Sequence, residues 1–264
     1  MTLSDSPEQR TPRSEPRPEL SPDLSVVVPV HNEAANIAPL IGEIRAALDG
    51  RLAYEMVYVD DGSSDGSAEI LRAQLQENDS LRVLRHQACC GQSAAIATGV
   101  AAARAEVIAT LDGDGQNDPA DIPALLETLA AAEDADRLLV TGQRAKRRDT
   151  WLKRLSSRIA NGVRSRMLGD DTPDTGCGLK VFRRDAFLDM PRFDHMHRFL
   201  PALMIRRGGR VLSVPVNHRP RERGSSKYGT LDRLWVGIFD LMGVMWLQRR
   251  GSRPVVRRDP TDGS

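Results

Sequence analysis

The chain has 264 residues, 40% of them hydrophobic and 28% charged, so it is long enough to bury a sizeable core in one large domain. Its net charge of +1 conceals an uneven distribution. Residues 1–136 carry 9 Lys/Arg against 24 Asp/Glu, whereas residues 137–264 carry 28 against 12. The second half is therefore suited to an anionic partner, and we expect a phosphate group rather than nucleic acid.

The three cysteines, two of them adjacent, provide neither a disulfide framework nor metal-ligand spacing, which is typical of a reducing compartment. Residues 1–23 are rich in Pro, Ser and Glu, lack the apolar core of a signal peptide, and are predicted to be a disordered tail. Residues 251–264 are predicted to be a second disordered tail, and residues 24–230 to be the folded domain. No run of 18 or more uncharged apolar residues is present, which predicts that the chain has no transmembrane helix.

In the first half of the chain, short apolar runs alternate with segments of helical periodicity. Strands are predicted in SVVVPV, YEMVYVD, LRVLRH, EVIATL and RLLVTGQR, with a helix after each of the first four. In the second of these helices, Ile70, Leu71 and Leu75 are predicted to face inward. This alternation predicts βαβ units and an α/β, Rossmann-like fold with a mostly parallel central sheet and helices on both faces.

After residue 145 the pattern changes. In order, the sequence predicts a basic helix over 146–169, a strand leading into a turn (GLKVFRRDAF), a helix (FLPALMIRRGG), a strand (RVLSVPVNHRP), and a cationic loop (RERGSSKYG). Residues 231–250 are predicted to form an amphipathic helix that carries two tryptophans. This helix suits either the interface of a bilayer or packing against the domain core.

Polar clusters follow three of the predicted strands. They are His31-Asn32-Glu33, Asp60-Asp61 and Asp112-Gly113-Asp114. Each one alone could be a turn or a helix cap. However, the carboxyl ends of parallel strands meet at one edge of a sheet, where α/β proteins bind ligands. Two aspartates one residue apart, with Gln116 nearby, offer the oxygen ligands that Mg²⁺ or Mn²⁺ prefers.

Seven segments in a fixed order resemble the family 2 glycosyltransferases, and most of all their dolichol- or polyprenyl-phosphate sugar transferases, the dolichol-phosphate mannose synthase group. The segments are VVPVHNEAANI, VDDGSSDGS, GQSAAIATGV, LDGDGQNDPADIP, GQR, DTGCGLKVFRR and HRPRERGSSKYG. The similarity extends from about Ser25 to Gln248. It implies the A-type glycosyltransferase fold and transfer of a sugar, with inversion, from a UDP- or GDP-sugar to an undecaprenyl or dolichyl phosphate.

The resemblance also implies roles for individual residues. Asp112, Asp114 and Gln116 match the metal and diphosphate motif, and Pro29, Asn32, Glu33, Asp60 and Asp61, with Asp112, match the nucleotide pocket. The catalytic candidates are Asp114 and Asp174. Because a phosphate acceptor is already ionised near neutral pH, Asp174 is expected to orient the reacting groups, with base catalysis as the second possibility. The residues expected to contact the acceptor phosphate are Arg144, Arg154, Ser157, Arg219, Arg221 and Lys227.

Two other functions stay open at this stage: a family 2 transferase with a polysaccharide or glycan acceptor, and a non-catalytic protein that binds nucleotide sugars. The basic segments favour the lipid phosphate, and the intact aspartates favour catalysis. The absence of a signal segment, with cytosolic nucleotide sugars as donors, predicts a cytoplasmic protein that is peripheral on the cytoplasmic face of the inner membrane. Many relatives carry C-terminal transmembrane helices, and their absence here argues against tight membrane integration. His195 and His197 are expected to be structural or surface residues.

Overall fold

The structure is a computed structural model that describes residues 21–144, 162, 164–220 and 230–250, without the side chains of 230–236. The described part is built on a seven-stranded sheet of order β3-β2-β1-β4-β6-β5-β7. Only β6 runs antiparallel to its neighbours, and the other pairs are parallel. The strands are β1 Leu24–Val30, β2 Tyr54–Asp60, β3 Leu81–Arg85, β4 Val107–Thr110, β5 Leu138–Arg144, β6 Lys180–Arg183 and β7 Arg210–Val216.

Helices connect most of these strands. They are α1 Ala34–Leu48, α2 Ser67–Leu75, α3 Gln92–Ala102, α4 Ile122–Ala130, α5 Arg184–Leu188, α6 Leu200–Arg206 and α7 Thr230–Arg249. Short 3₁₀ turns lie at Pro119–Asp121, Ala135–Arg137 and Met196–Arg198. Residues 164–168 are also helical.

The core has two layers, one on each face of the sheet. Val26 and Val28 of β1 pack in a cluster with Ile37 and its neighbours on α1, whereas Val27 packs on the opposite face with Val100 of α3. This follows from the alternation of side chains along a strand, and a strand buried on both faces needs an uninterrupted apolar run. The predicted α/β fold, with a mostly parallel sheet and helices on both faces, is confirmed.

Three details differ from the sequence-based expectations or lie outside the described residues. Leu75 was predicted to face inward and is 37% exposed, because α2 ends there; Leu71 is buried as predicted. The segment after β6 is the helix α5 instead of a turn. Most of the predicted basic helix, the RERGSSKYG loop and most of both predicted tails lie outside the described residues.

The carboxyl edge of the sheet is open between β1 and β4. Strand β4 pairs with β1 only as far as Val27, so the last three residues of β1 are paired on the β2 side alone among the described residues. Pro29, which has no amide hydrogen to donate, lies in this half-paired stretch. The chain after β4 crosses here closely, since a Cβ atom on Gly113 would lie 2.8 Å from the carbonyl oxygen of Pro29. This is the switch point at which open α/β sheets bind ligands.

Candidate active site

The loops after β1 and β2 are fastened to each other at this edge. Asn32, in the left-handed conformation, donates its amide hydrogen to Oγ of Ser63 (2.9 Å) and accepts at Oδ1 from the amide of Ser64 (2.7 Å). The amide of Glu33 donates to Oγ of Ser67 (3.2 Å). The structure therefore brings the predicted His31–Glu33 and Asp60–Asp61 clusters together.

Asp61 is buried and its carboxylate receives donors from the loop before α3. The amides of Cys90 and Gly91 donate to it at 2.8 and 2.7 Å, Nδ1 of His86 lies 2.7 Å away, and Sγ of Cys89 donates at 3.3 Å. Burial alone raises the pKa of Asp61, but these donors together lower it below the usual range. The carboxylate thus remains ionised, and each of its oxygens accepts hydrogen bonds from the loop.

Asp60 is likewise buried and held by internal partners. One carboxylate oxygen accepts from the amide of Ser63 (2.9 Å), whereas the other lies 3.2 Å from Nε of Arg85 as an ion pair and has no hydrogen-bond partner among the described residues. Both aspartates predicted for the nucleotide pocket lie at the expected edge. Their carboxylates fasten the surrounding loops.

Asp112 and Asp114 have fewer internal donors. Oδ1 of Asp112 accepts from Nε2 of Gln92 (2.7 Å), and Oδ1 of Asp114 accepts from the amide of Gln116 (3.1 Å). Burial, and then the negative charge of Asp114, raise the pKa of Asp112 to about 6. Nε2 of Gln116 donates to the carbonyl of Arg219 (3.4 Å), which leaves its Oε1 for another partner.

The position of the Asp112 carboxylate depends on the absence of a side chain at Gly178. A Cβ atom on Gly178 would lie 2.3 Å from the carboxylate of Asp112, so a side chain at this position would force the carboxylate to move. Gly178 precedes β6, and its carbonyl accepts from Oγ1 of Thr110 at the end of β4 (2.7 Å). The antiparallel pairing of β6 with β4 thus holds the space that the carboxylate occupies.

A cavity of about 270 Å³ opens beside Asp112. It is also lined by Gln92, Lys180, His197 and Arg198. Gln92 and Lys180 lie in segments that carry the family resemblance, but their roles were not predicted from the sequence. The available signal for Lys180 was a charged residue directly before the apolar pair Val181 and Phe182.

Lys180 and His197 are polar residues with little access to solvent. Nζ of Lys180 donates to the carbonyl of Cys177, and burial lowers the pKa of this ammonium group. Oγ of Ser93 accepts from the amide of His197 (3.1 Å) and lies 2.7 Å from its Nδ1. Burial lowers the pKa of His197 to about 3, so the imidazole is neutral. His197 is thus structural, as expected, and also lines the cavity.

Arg144 and Asp174 form a bidentate ion pair near the cavity. Nε and Nη2 of Arg144 donate to the two carboxylate oxygens of Asp174 at 2.6 and 2.7 Å, and both side chains are 13% exposed. The hydrogen bonds to Asp174 raise the pKa of Arg144. Asp174 is followed directly by Thr175 and Gly176, which line the cavity.

Arg219 points its guanidinium elsewhere. It pairs with Glu43 of α1 (2.7 Å) and with Asp118 (2.8 Å), so the side chain connects α1 to the loop after β4. The structure does not bring this guanidinium into the cavity with Lys180. The other residues expected to contact the acceptor phosphate, Arg154, Ser157, Arg221 and Lys227, lie outside the described residues.

The fold and this edge agree with the family match. Residues 25–190 match the model of glycosyl transferase family 2. The chain belongs to this family and is a glycosyltransferase, as the resemblance implied. The match contains the four loops that hold Asn32, Asp61, Asp112 and Asp174.

Two curated relatives have names that specify both a sugar and a polyprenyl phosphate. A dodecaprenyl-phosphate galacturonate synthase from Rhizobium johnstonii is 37% identical over 90% of this chain and 70% of its own length. An undecaprenyl-phosphate 4-deoxy-4-formamido-L-arabinose transferase from Edwardsiella ictaluri is 38% identical over 79% of this chain and 63% of its own length. The chain therefore corresponds to about two thirds of the length of these proteins.

Solved structures support the fold. Glucosyl-3-phosphoglycerate synthase from Mycobacterium tuberculosis, in complex with Mn²⁺, UDP-glucose and glycerol 3-phosphate, superposes with a TM-score of 0.65. The alignment covers 86% of this chain and 80% of that chain at 20% identity. At this identity the likeness concerns the fold alone, and it confirms the A-type glycosyltransferase architecture.

Proposed function

We propose that the chain transfers a sugar, with inversion, from a UDP- or GDP-sugar to a polyprenyl phosphate such as undecaprenyl or dolichyl phosphate, and that it uses Mg²⁺ or Mn²⁺. The observation that carries the proposal is the position of Asp112. Its carboxylate lies at the switch point of the sheet, beside Asp114 and in the wall of a cavity that Lys180 also lines. The acceptor class comes from the names of the two relatives.

The donor set fits a divalent cation. Asp112, Asp114 and Gln116 offer carboxylate and amide oxygens, and the pKa of Asp112 is raised first by burial and then by the negative charge of Asp114, so repulsion between the two carboxylates contributes to the shift. A bound cation would relieve this repulsion, and it supplies the charge that stabilises a departing nucleoside diphosphate. Gln92 and Gly178 hold Asp112 in position.

The loops after β1 and β2 form one side of the same edge of the sheet, and we assign them to nucleotide binding. The residues assigned to this role are Pro29, Asn32, Glu33, Asp60 and Asp61. Because the carboxylates of Asp60 and Asp61 already have internal donors, their main contribution is to fix the shape of this side. A preorganised pocket lowers the entropy cost of binding.

Arg144 is the cation assigned to the acceptor phosphate. With Nε and Nη2 held by Asp174, its Nη1 is the guanidinium nitrogen that remains to be offered to a phosphate oxygen. Asp174 thereby acts as a positioning residue, since the acceptor needs no deprotonation near neutral pH. If so, Asp174→Asn raises KM for the polyprenyl phosphate and leaves the shape of the pH profile of kcat unchanged. Loss of the acidic limb of that profile would instead identify Asp174 as the base.

The main test is a transfer assay with purified protein. Radiolabelled UDP- and GDP-sugars are screened against undecaprenyl phosphate with Mg²⁺ or Mn²⁺, and undecaprenol, which lacks the phosphate, serves as the matched control acceptor. We expect a butanol-extractable, mild-acid-labile product from the phosphate only, and none in EDTA. Label in a polysaccharide, or no transfer with any donor, would contradict the proposal and favour one of the two alternatives.

Helix α7 is proposed to place this site at a membrane surface. Val244 is buried against the domain, while Phe239, Met242 and Trp246 are 67%, 57% and 60% exposed. Arg249 and Arg250 follow at its end. The apolar residues therefore lie on two faces, one packed against the core and one available to a bilayer, with basic residues suited to anionic lipid. In the described residues, no helix is long and apolar enough to cross a membrane.

Vesicle flotation tests this assignment. We expect the protein to float with vesicles that contain anionic lipid and to lose this binding in the Phe239→Ser/Trp246→Ser variant. Leu75→Ser removes another exposed apolar residue, on α2, and is the matched control. Equal flotation of all three proteins would show that α7 does not contact the bilayer.

A further inference from the structure

The loop before α3 brings a thiol to the aspartate and histidine at the ends of β2 and β3. One ligand atom each from Asp61, His86 and Cys90 lies within 4.8 Å of the other two. The three residues come from separate segments, so their spacing in the sequence gave no sign of a metal site. A carboxylate, an imidazole and a thiolate are the ligand types of Zn²⁺, whereas the oxygen set of Asp112 and Asp114 suits Mg²⁺ or Mn²⁺.

We propose that Asp61, His86 and Cys90 form a second metal site, selective for Zn²⁺ and similar thiophilic cations, whose occupation weakens nucleotide binding. The first part of the proposal depends only on this cluster. The second part rests on the proposed function, because it needs Asp61 and its loop to belong to the nucleotide pocket.

The cluster is already oriented for metal binding. Nε2 of His86 lies 2.9 Å from Oγ1 of Thr98 on α3, and Nδ1 faces Oδ1 of Asp61. An outer hydrogen bond of this kind fixes the ring of metal-binding histidines. Cys90 is exposed, so an ion has access from solvent, and its thiol donates only a long hydrogen bond to the carbonyl of Ala88 (3.4 Å).

Metal binding changes the protonation of His86 and Cys90. The imidazole proton moves to Nε2, which donates to Oγ1 of Thr98, so that Nδ1 becomes a ligand. The thiol of Cys90 releases its proton to solvent, and the thiolate, the imidazole and the carboxylate leave a fourth position of a tetrahedral ion for water. One proton is released for each ion bound.

The same loop connects this cluster to the proposed catalytic metal site. Gly91 donates its amide hydrogen to Asp61, and the next residue, Gln92, donates to Oδ1 of Asp112. The backbone has little room to adjust, since a Cβ on Gly62 would lie 2.6 Å from the carbonyl carbon of Ala88. A cation between Nδ1 of His86 and Oδ1 of Asp61, which lie 2.7 Å apart, would separate these two atoms. Because the packed backbone cannot absorb this movement locally, the loop that fixes both aspartates shifts.

Cobalt is the direct probe, because a Co²⁺–thiolate bond gives a charge-transfer band in the near ultraviolet. Metal-free protein is titrated with Co²⁺ in excess Mg²⁺, which is present to occupy the carboxylate pair. We expect a saturable band that Zn²⁺ removes, and its loss in Cys90→Ser. Cys89→Ser, which removes the neighbouring exposed thiol, should keep the band. Thr98→Val should weaken Co²⁺ binding about 10–100-fold.

Absence of the band in the wild-type protein, or an equal band in Cys90→Ser, overturns the site. His86→Gln provides the same test if Cys90→Ser does not fold. Calorimetry with UDP or GDP, with and without Zn²⁺, then tests the coupling, which we expect in the wild type and not in Cys90→Ser. If the band is present but Zn²⁺ leaves nucleotide affinity unchanged, the coupling is wrong. If neither nucleotide binds in any condition, the proposed function fails while the metal site stands.

Discussion

Two pairs of aspartates lie at the carboxyl edge of the sheet and differ in what the chain supplies to them. Asp60 and Asp61 are buried, and the described residues provide Asp61 with two amide donors, an imidazole and a thiol. Asp112 and Asp114 are only half-buried, and among the described residues each receives one donor at its carboxylate. The first pair therefore stabilises loops, and the second keeps oxygen atoms available to a ligand.

The largest expected effect is on activity at the second pair. Asp114→Ala removes a proposed metal ligand, so we expect the transfer rate to fall about 10³-fold, while the melting temperature stays the same or rises because repulsion with Asp112 is relieved. Transfer assays and thermal melts measure the two effects. Asp118→Asn, in the same loop but paired with Arg219, is the control and should retain transfer. Unchanged transfer by Asp114→Ala would show that this residue does not hold the metal.

A smaller loss of transfer rate is expected when the Asp112 carboxylate is moved but the residue itself is kept. In Gly178→Ala the new Cβ would meet the carboxylate of Asp112, and a displacement of about 1 Å at a catalytic group costs about 10²-fold in rate. Gly42→Ala on α1 is the matched control, since its Cβ would meet no atom within 4 Å. Equal rates for the two variants would mean that the position of Asp112 does not limit transfer.

At the first pair the main effect is expected on stability. Asp61→Ala removes the acceptor of the Cys90 and Gly91 amides, of the His86 imidazole and of the Cys89 thiol, which should lower the free energy of unfolding by about 3 kcal/mol. Urea unfolding at pH 7 measures this change. A loss of sugar transfer with an unchanged free energy of unfolding would contradict this assignment, because Asp61 would then act mainly by binding a ligand.

At pH 6 the smallest effect is a pH dependence of the free energy of unfolding, which arises at the cavity wall. The pKa of His197 is about 3 in the folded chain and about 6.5 in an unfolded one. Between these values only the unfolded chain takes up the proton, so acidification favours unfolding by up to about 1.4 kcal/mol per pH unit. His197→Asn should remove this contribution. Above pH 7 the unfolding curves of the two proteins should change in parallel; parallel curves below pH 6 as well would contradict a neutral, buried imidazole.

Much of the fold was predictable because its pattern is local. Apolar runs such as SVVVPV, bounded by polar turns and followed by residues of helical spacing, indicate buried parallel strands with crossover helices. The same local rules failed at Leu75, where the helix ended one turn earlier than its periodicity suggested, and at Arg184–Leu188, where a helix replaced a turn. At both places the end of an element is decided by packing, which a short window of sequence does not contain.

The sequence by itself determined the family, the α/β class and the order of the acidic clusters, since each is written in consecutive residues. Only the tertiary structure decided which carboxylates have free oxygens. Residues that are far apart in the chain supply the donors: Cys90 and Gly91 reach Asp61, whereas Gln92 reaches Asp112. It also decided that Arg219 pairs with Glu43 and that Lys180 lines the cavity. The physical reason is that hydrogen bonds and charges act over a few ångströms in space, whatever the distance along the chain.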